Sequence, residues 1–97
     1  MNEVRLSGVI RSTPHLKQLR NHVTCSCALD FDRYSYINIY ALDSAARQLS
    51  QLHSGDSIRV TGRLAFSPNG TLQIVAKDFG LLEVVYKKVD AFAEKSA

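Results

Sequence analysis

The sequence predicts a small all-β domain in which five strands and one helix share a single hydrophobic core. Two observations lead to this prediction: apolar and polar residues alternate with period two in five segments, and only residues 43–54 change to spacings of three and four. The length of 97 residues fits one domain, and a hydrophobic fraction of 45% supplies a core without metal or disulfide cross-links. The alternating segments are residues 3–11, 23–31, 34–42, 57–66 and 71–77.

The first predicted strand spans residues 3–11 and contains Gly8, and a glycine inside a strand usually marks a bulge or a sharp coil. Pro14 ends the pairing, because proline has no N–H group to donate to a neighbouring strand. Residues 15–22 then form a polar, basic connection, for which we predict no regular structure. The core-facing side chains of the first strand are those of Val4, Leu6 and Ile10.

The second predicted strand, residues 23–31, carries the two cysteines of the chain. Because Cys25 and Cys27 are two residues apart, they share a face of the strand, with Cα atoms about 7 Å apart, at the limit that a disulfide tolerates. We therefore expect two reduced, buried thiols in a cytosolic protein. The core-facing positions of this strand are Val23, Cys25, Cys27, Leu29 and Phe31.

The third predicted strand, residues 34–42, separates small apolar side chains from aromatic ones. Its core-facing series is Ser35, Ile37, Ile39 and Ala41, and its opposite series is Tyr34, Tyr36, Asn38 and Tyr40. Three of the four tyrosines in the chain therefore lie on one side of one strand. Tyrosine rings on the open face of a sheet can stack with nucleic acid bases, although aromatic residues also favour strands simply because they pack across them.

Residues 43–54 form the only predicted helix, and it falls between the third and fourth strands. We expect Asp43 or Ser44 to cap its start, because a short polar side chain there can accept a hydrogen bond from the first turn. Gly55 is predicted to end the helix, because glycine adopts the left-handed conformation at low cost. The apolar positions that define the helix are Ala45, Ala46, Leu49 and Leu52.

The fourth and fifth predicted strands are joined by a hairpin turn at Asn69-Gly70, a pair that suits the positive backbone angles of a tight turn. Residues 79–86 are predicted to extend the fifth strand past a kink at Gly80. We therefore expect one domain over residues 1–86, followed by a polar, flexible tail over residues 87–97. The core-facing series of these two strands is Ile58, Val60, Gly62, Leu64, Phe66, Leu72, Ile74 and Ala76.

Three strands, one helix and two further strands follow the element order of an OB-fold barrel. The alternation alone leaves a β-sandwich or another small barrel open. Two local sequences are more specific: the opening Asn2-x-Val4-x-Leu6-x-Gly8 followed by Pro14, and the block from Leu52 to Leu64. Both resemble the corresponding segments of bacterial single-stranded DNA-binding proteins, and the resemblance extends over roughly residues 2–79.

This resemblance implies that Tyr34 and Tyr40 occupy base-stacking positions, whereas Tyr36 stands where the family carries a charged residue. The chain departs from the family pattern, since it has no tryptophan, shorter loops after the second and fourth strands, and no glycine-rich linker with an acidic, phenylalanine-ended tail. A short member of this kind also resembles PriB, a dimeric OB protein of replication restart.

Fold and resemblance together predict binding of single-stranded DNA without sequence preference, in replication, replication restart or recombination. Tyrosines would stack with bases while a basic groove follows the phosphates, and the net charge of +3 is compatible with such a partner. Each cation is also explained by an ordinary solvated position, and the same contacts serve RNA. The candidate residues are Tyr34, Tyr36, Tyr40, Arg59, Arg63, Lys17, Arg20 and Lys77.

The alternative function is a protein-interaction module of a primosome or a mobile element, with weak or no DNA binding. We expect no enzymatic activity, metal or cofactor, because the acidic residues flank turns, and Asp30 with Asp32 forms only a weak pair. The resemblance implies a homodimer or homotetramer, with replication-restart or helicase proteins as partners. The absence of an apolar run long enough to span a membrane leads us to expect a cytoplasmic protein.

Overall fold

The protein is described by a computed structural model over residues 1–81, which form a closed β-barrel with one helix. The elements are β1 (Val4–Ile10), β2 (His15–Gln18), β3 (Val23–Asp32), β4 (Ser35–Leu42), α1 (Asp43–Ser50), β5 (Ser57–Phe66) and β6 (Leu72–Leu81). The five long strands confirm the predicted five-stranded OB-fold barrel, with the helix between the third and fourth of them.

The barrel closes because β1 pairs with two strands. Its first part lies antiparallel to β5, and its last residues, Val9 and Ile10, lie opposite Asp30 and Leu29 of β3. Gly8 lies where β1 passes from one neighbour to the other, and a Cβ atom there would overlap the carbonyl oxygen of Asp30. The glycine that predicted a sharp coil is therefore required by a close approach of two backbones.

The barrel interior is apolar, as the alternation predicted. Strands β1, β3, β4, β5 and β6 all contribute side chains to it, and Ala46 and Leu49 of α1 are also fully buried against it. Burial of apolar side chains is the main favourable term that holds such a barrel together. The largest fully buried side chains are those of Ile10, Leu29, Ile39, Leu49, Ile58, Ile74 and Val60.

The prediction of an irregular connection over residues 15–22 is wrong, because β2 lies within it. His15 pairs with Ser26 and Gln18 with Val23 of β3, and the chain reverses after Leu19, whose N–H donates to the carbonyl of His22 at 2.7 Å. All four residues of β2 are exposed. A short edge strand with solvated side chains has no apolar alternation, so the sequence pattern could not reveal it.

The helix begins at Asp43 as predicted, but its predicted caps and its predicted end are wrong. The helix ends at Ser50 with Gln51 as its cap, and no side chain caps its start. Gly55 does adopt a positive φ of 96°, but in the loop after α1, where its N–H donates to the carbonyl of Ile10 at 2.8 Å. The left-handed residue therefore ties this loop to the barrel instead of terminating the helix. The Asp43 carboxylate accepts a hydrogen bond from the N–H of Val23.

Two phenylalanines on the predicted core-facing series are exposed. The β3–β4 register shifts between Asp30 and Asp32, so Phe31 is an extra residue in a bulge and is partly exposed. Phe66 is 72% exposed at the end of the β5–β6 hairpin, where its partner Leu72 is exposed as well. The apolar series of β5 and β6 continues to the end of the hairpin, past the residues that contact the core.

The predicted kink at Gly80 is wrong, and the extension of the last strand is confirmed as far as Leu81. Gly80 pairs regularly with Arg59, and the irregularity of the β5–β6 ladder lies between Thr61 and Gly62, which face Asp78 and Ala76. Lys77 is therefore the additional residue on β6. Residues 82–86 of the predicted strand and the predicted tail lie outside the described residues.

Candidate nucleic-acid interface

The strand register assembles rows of side chains across the outer face of the barrel, because directly paired residues point to the same side of a sheet. One row crosses five strands, from β2 to β5, and has Tyr40 at its centre. It consists of His15, Ser26, Tyr40, Val75 and Arg63. The next row consists of Ala28, Asn38, Gln73 and Ala65.

An open groove of about 420 Å³ crosses these rows, and we call it the aromatic groove. Tyr40 and Asn38 of β4 lie on its floor. One wall comes from the segment between β1 and β2 together with the first residue of β2, and the other wall comes from the β5–β6 turn. The floor residues are Ser26, Ala28, Asn38, Tyr40 and Gln73, and the wall residues are Ser12, His15, Ser67, Asn69 and Thr71. OB-folds bind oligonucleotides on this face, between the equivalent loops.

The β5–β6 turn that forms one wall is held in place by its own hydrogen bonds. The Ser67 N–H donates to the Thr71 carbonyl at 2.8 Å, and the Gly70 N–H donates to the Ser67 carbonyl at 2.9 Å. The Ser67 hydroxyl donates to Asn69 Oδ1, and it accepts from the Thr71 N–H at 3.1 Å. The turn predicted from Asn69-Gly70 is therefore confirmed, and it presents an ordered polar wall to the groove.

Tyr36 continues the tyrosine series at the end of the aromatic groove, and Arg11 covers part of it. The Arg11 Cζ atom lies 4.1 Å from the centroid of the Tyr36 ring. The Arg11 Nε–H donates to Asp30 Oδ1 at 2.7 Å, and Asp30 is the cross-strand partner of Tyr36. A cation, a carboxylate and an aromatic ring thus form one contiguous cluster, in which Tyr36 remains 53% exposed.

A second groove, of about 370 Å³, lies on the neighbouring strands β5 and β6, and we call it the basic groove. Arg63 and Lys77 line it, together with the acidic Glu3. Val75 also lines this groove and is paired with both Tyr40 and Arg63. Since neighbouring strands lie about 4.8 Å apart, the backbones of Tyr40 and Arg63 are about 10 Å apart. The two grooves therefore adjoin each other along the row through Tyr40.

The other predicted cations are spread around the barrel. Lys17 pairs with Thr24, on the same side of β2 as His15, and Arg20 lies in the bend between β2 and β3. Arg59 lies between Ser7 of β1 and Gly80 of β6. These three predicted cations line neither groove.

Tyr34 lies in the turn before β4, and not in the strand as predicted. It is 87% exposed, and its ring centroid lies 6.0 Å from the guanidinium of Arg33. The structure thus brings Tyr36 and Tyr40 onto one face of β4 and places Tyr34 at the end of that series.

Several groove residues were missed by the sequence analysis. Asn38 and Gln73 face each other on the floor, but on the sequence they are only polar members of outward-facing series. His15 lies in a segment for which no strand was predicted. Their grouping depends on cross-strand register between segments far apart in the chain, which alternation within one strand does not encode.

The cysteines behind this face are free and buried. Burial and, to a smaller extent, the neighbouring Cys25 raise the pKa of the Cys27 thiol to about 12. Burial also raises the pKa of Cys25, against an opposing hydrogen bond with the backbone of Ser26. Both thiols are therefore protonated at neutral pH.

Within residues 1–81, no three histidine, cysteine, aspartate or glutamate side chains come together in a way that could hold a metal ion. In the same residues, no helix has the length and hydropathy needed to cross a bilayer.

The structure resembles solved structures of bacterial proteins that bind single-stranded DNA. The second single-stranded DNA-binding protein of Mycobacterium smegmatis has a TM-score of 0.73 at 20% identity, over 86% of this chain and 90% of that one. The small single-stranded DNA-binding protein of Streptomyces coelicolor has a TM-score of 0.65 at 24% identity, over 84% and 94%. The SSB domain of a Synechococcus sp. protein has a TM-score of 0.76 at 14% identity, over 81% and 93%.

At these identities the likeness shows a shared fold, and the predicted resemblance to bacterial single-stranded DNA-binding proteins is confirmed at that level. The narrower resemblance to PriB stays a prediction. No curated protein matches the sequence. The family model described as the OB-fold nucleic acid binding domain matches residues 4–82. The chain therefore belongs to the OB-fold nucleic acid binding domain family.

Proposed function

We propose that the protein binds single-stranded DNA without sequence preference, with bases stacked in the aromatic groove and phosphates held by the adjoining basic groove. The observation that carries this proposal is the row through Tyr40, which joins a stacking residue on β4 to Arg63 on β5 through Val75. Bases offer a flat face whatever their identity, so tyrosine stacking is tolerant of sequence. Cations beside the stacking residues would follow the backbone.

The candidate residues divide by position under this proposal. Tyr40 stacks with bases in the aromatic groove and Tyr36 stacks with bases at its end, while Arg63 and Lys77 contact phosphates in the basic groove. The four more distant candidates contribute only when a longer strand extends past the grooves. These are Tyr34, Lys17, Arg20 and Arg59.

We further propose that the protein is a binding protein and not an enzyme, and that it acts in the cytoplasm in replication, replication restart or recombination. The structural neighbours are described as single-stranded DNA-binding proteins, which supports this class of role. We propose a homodimer or homotetramer, because linking two weak grooves raises the overall affinity without new contacts. Helicase or replication-restart proteins are the partners that such a role would require.

A second candidate function is a protein-interaction module, and an apolar cluster favours it. Leu64, Phe66 and Leu72, which lie near the end of the β5–β6 hairpin, are all exposed. Exposed apolar groups that lie together are typical of surfaces that contact another protein. Binding through such a cluster would depend little on salt, whereas binding to phosphates weakens steeply as salt rises.

The decisive experiment titrates fluorescently labelled oligothymidine into the protein at several salt concentrations. We expect affinity to fall as salt rises, and Tyr40→Ala to weaken binding about 5- to 150-fold, which corresponds to the loss of about 1–3 kcal/mol per stacked base. The matched control is Tyr34→Ala, which removes the same side chain outside the groove and should change binding of a short oligomer little. Absence of binding at low salt by the folded protein would overturn the proposal and favour the protein-interaction module.

A further inference from the structure

Arg11 is fixed at the end of the aromatic groove by its own backbone. Its N–H donates to the carbonyl of Ala28, a floor residue of the groove, at 2.8 Å, and its carbonyl accepts from the Ser54 hydroxyl at 3.1 Å. The neighbouring residue Ser12 belongs to the groove wall. The Arg11 side chain is thus anchored where a strand lying in the groove would pass.

The guanidinium of Arg11 has binding capacity that the protein does not use. An arginine carries five N–H donors in a planar fork, and Asp30 engages one of them, Nε–H. Among residues 1–81, the other four donors have no protein acceptor. The Tyr36 ring, 4.1 Å from Cζ, supports one face of the fork and limits its orientation.

Another anion can replace Asp30 in its ion pair with Arg11 at little cost in stability. The two side chains are 46% and 35% exposed, and ion pairs in contact with water contribute little to stability. A backbone phosphate offers arginine the same kind of charge-assisted, bidentate hydrogen bonds as a carboxylate, through its two non-bridging oxygens. The free energy needed to separate Arg11 from Asp30 is therefore small compared with the free energy that contacts with a phosphate can supply.

We infer that Arg11 is a phosphate-binding residue at the end of the aromatic groove and that Asp30 is its competitor within the protein. A phosphate of the bound strand replaces the Asp30 carboxylate on the guanidinium, which stays stacked on Tyr36. This inference rests on the proposed function of the groove. It adds a cation at the end of the aromatic groove, whose lining among residues 1–81 has no lysine or arginine. It also makes Asp30 a residue that weakens binding in the unmodified protein.

The test compares Asp30→Asn, Arg11→Met and the double variant in oligothymidine binding. Asp30→Asn should bind severalfold more tightly than the unmodified protein, and this gain should disappear when Arg11 is also replaced. Arg11→Met should weaken binding and reduce the slope of log affinity against log salt by about 0.7, the value for one lost phosphate contact on a single strand. The matched control is Asp32→Asn, which removes the same charge two residues along β3, where the carboxylate accepts from the Arg33 N–H instead.

Thermal unfolding of each variant verifies the fold, and Arg11→Lys provides a second variant that keeps the charge but loses the planar fork. Arg11→Lys should retain the salt slope and lose part of the affinity. Equal gains from Asp30→Asn and Asp32→Asn, or an unchanged salt slope in Arg11→Met, would overturn the inference. In either case, binding that still depends on Tyr40 would leave the proposed function intact. If the unmodified protein does not bind oligothymidine at all, the proposed function itself is wrong, and the inference about Arg11 fails with it.

Discussion

The aromatic groove and the basic groove adjoin each other but come from different parts of the chain. The floor of the aromatic groove is formed mainly by β3 and β4, and the basic groove by β5 and β6. The two meet only because β4 and β6 pair in parallel, which aligns Tyr40 with Val75. The tyrosines of one groove and the cations of the other therefore lie on separate segments of the chain. The closure of the barrel brings them together.

The grooves also differ in what limits their shape. Ordered turn residues and side chains bound the aromatic groove, whereas close backbone packing forms part of the basic groove. Gly62 lines the basic groove at the irregularity of the β5–β6 ladder, and a Cβ atom there would overlap the carbonyl oxygen of Val75. The basic groove should therefore be sensitive to changes in the backbone, and the aromatic groove to changes in its side chains.

The largest expected effect comes from Gly62→Ala, which inserts a methyl group into this close approach. We expect a loss of about 1–3 kcal/mol in the free energy of unfolding, measured by urea denaturation, because the backbone of β6 must move. Gly80→Ala is the matched control on the same pair of strands, since no atom lies within 4 Å of its added Cβ. A change within about 0.5 kcal/mol is expected for the control. Equal losses in the two variants would show that the close approach at Gly62 does not limit the groove.

Removing a cation from the basic groove and removing a tyrosine from the aromatic groove should affect DNA affinity and its salt dependence differently. Under the proposed function, Arg63→Gln and Lys77→Gln would each remove one phosphate contact, so each should reduce the slope of log affinity against log salt by about 0.7. Tyr40→Ala should instead lower the affinity while leaving that slope unchanged. Arg47→Gln, on the exposed side of α1 and in neither groove, serves as the control for net charge. An identical slope for Arg63→Gln and the unmodified protein would exclude Arg63 from the binding surface.

The last expected effect appears only at alkaline pH and concerns the thiol of Cys27, which lines the aromatic groove from the core side. Its pKa is about 12 in the folded protein, above the ordinary value of 9.0, so the unfolded chain releases this proton first as pH rises. The thiol contributes its full stabilisation below pH 9 and loses it between pH 9 and about 12. Urea denaturation across this range should show about one more linked proton for the unmodified protein than for Cys27→Ala. The same pH dependence in both proteins would contradict the raised pKa.

The sequence predicted the barrel well because alternation directly reports burial on one side of a strand. The inward series of β4, with Ile39 and Ala41 fully buried, confirms this, and β5 spans the predicted residues 57–66. The predictions fail where the alternation of apolar and polar residues does not match the burial of the side chains. The edge strand β2 has no buried face, and Phe66 follows the inward series on a hairpin that extends past the core.

The candidate site was predictable only in part. The outward position of Tyr36 and Tyr40 follows from the two-residue period of one strand, and so does that of Arg63. The period of a single strand does not predict that Tyr40 and Arg63 share a row. It also does not predict the cluster of Arg11, Asp30 and Tyr36. Both features depend on contacts between segments that are distant in the sequence, such as the pairing of Tyr40 with Val75 and the ion pair of Arg11 with Asp30, 19 residues away.

The sequence by itself determined most of the local features: which segments form the five long strands, which of their faces are apolar, where the helix begins, and where the Asn69-Gly70 turn reverses the chain. These features follow from side-chain periodicity and from the conformations that each residue type tolerates. The tertiary structure decided register, barrel closure and the division of the outer face into two grooves. Register depends on which strands pair and at what offset, and a shift of one residue would turn the tyrosines toward the opposite face.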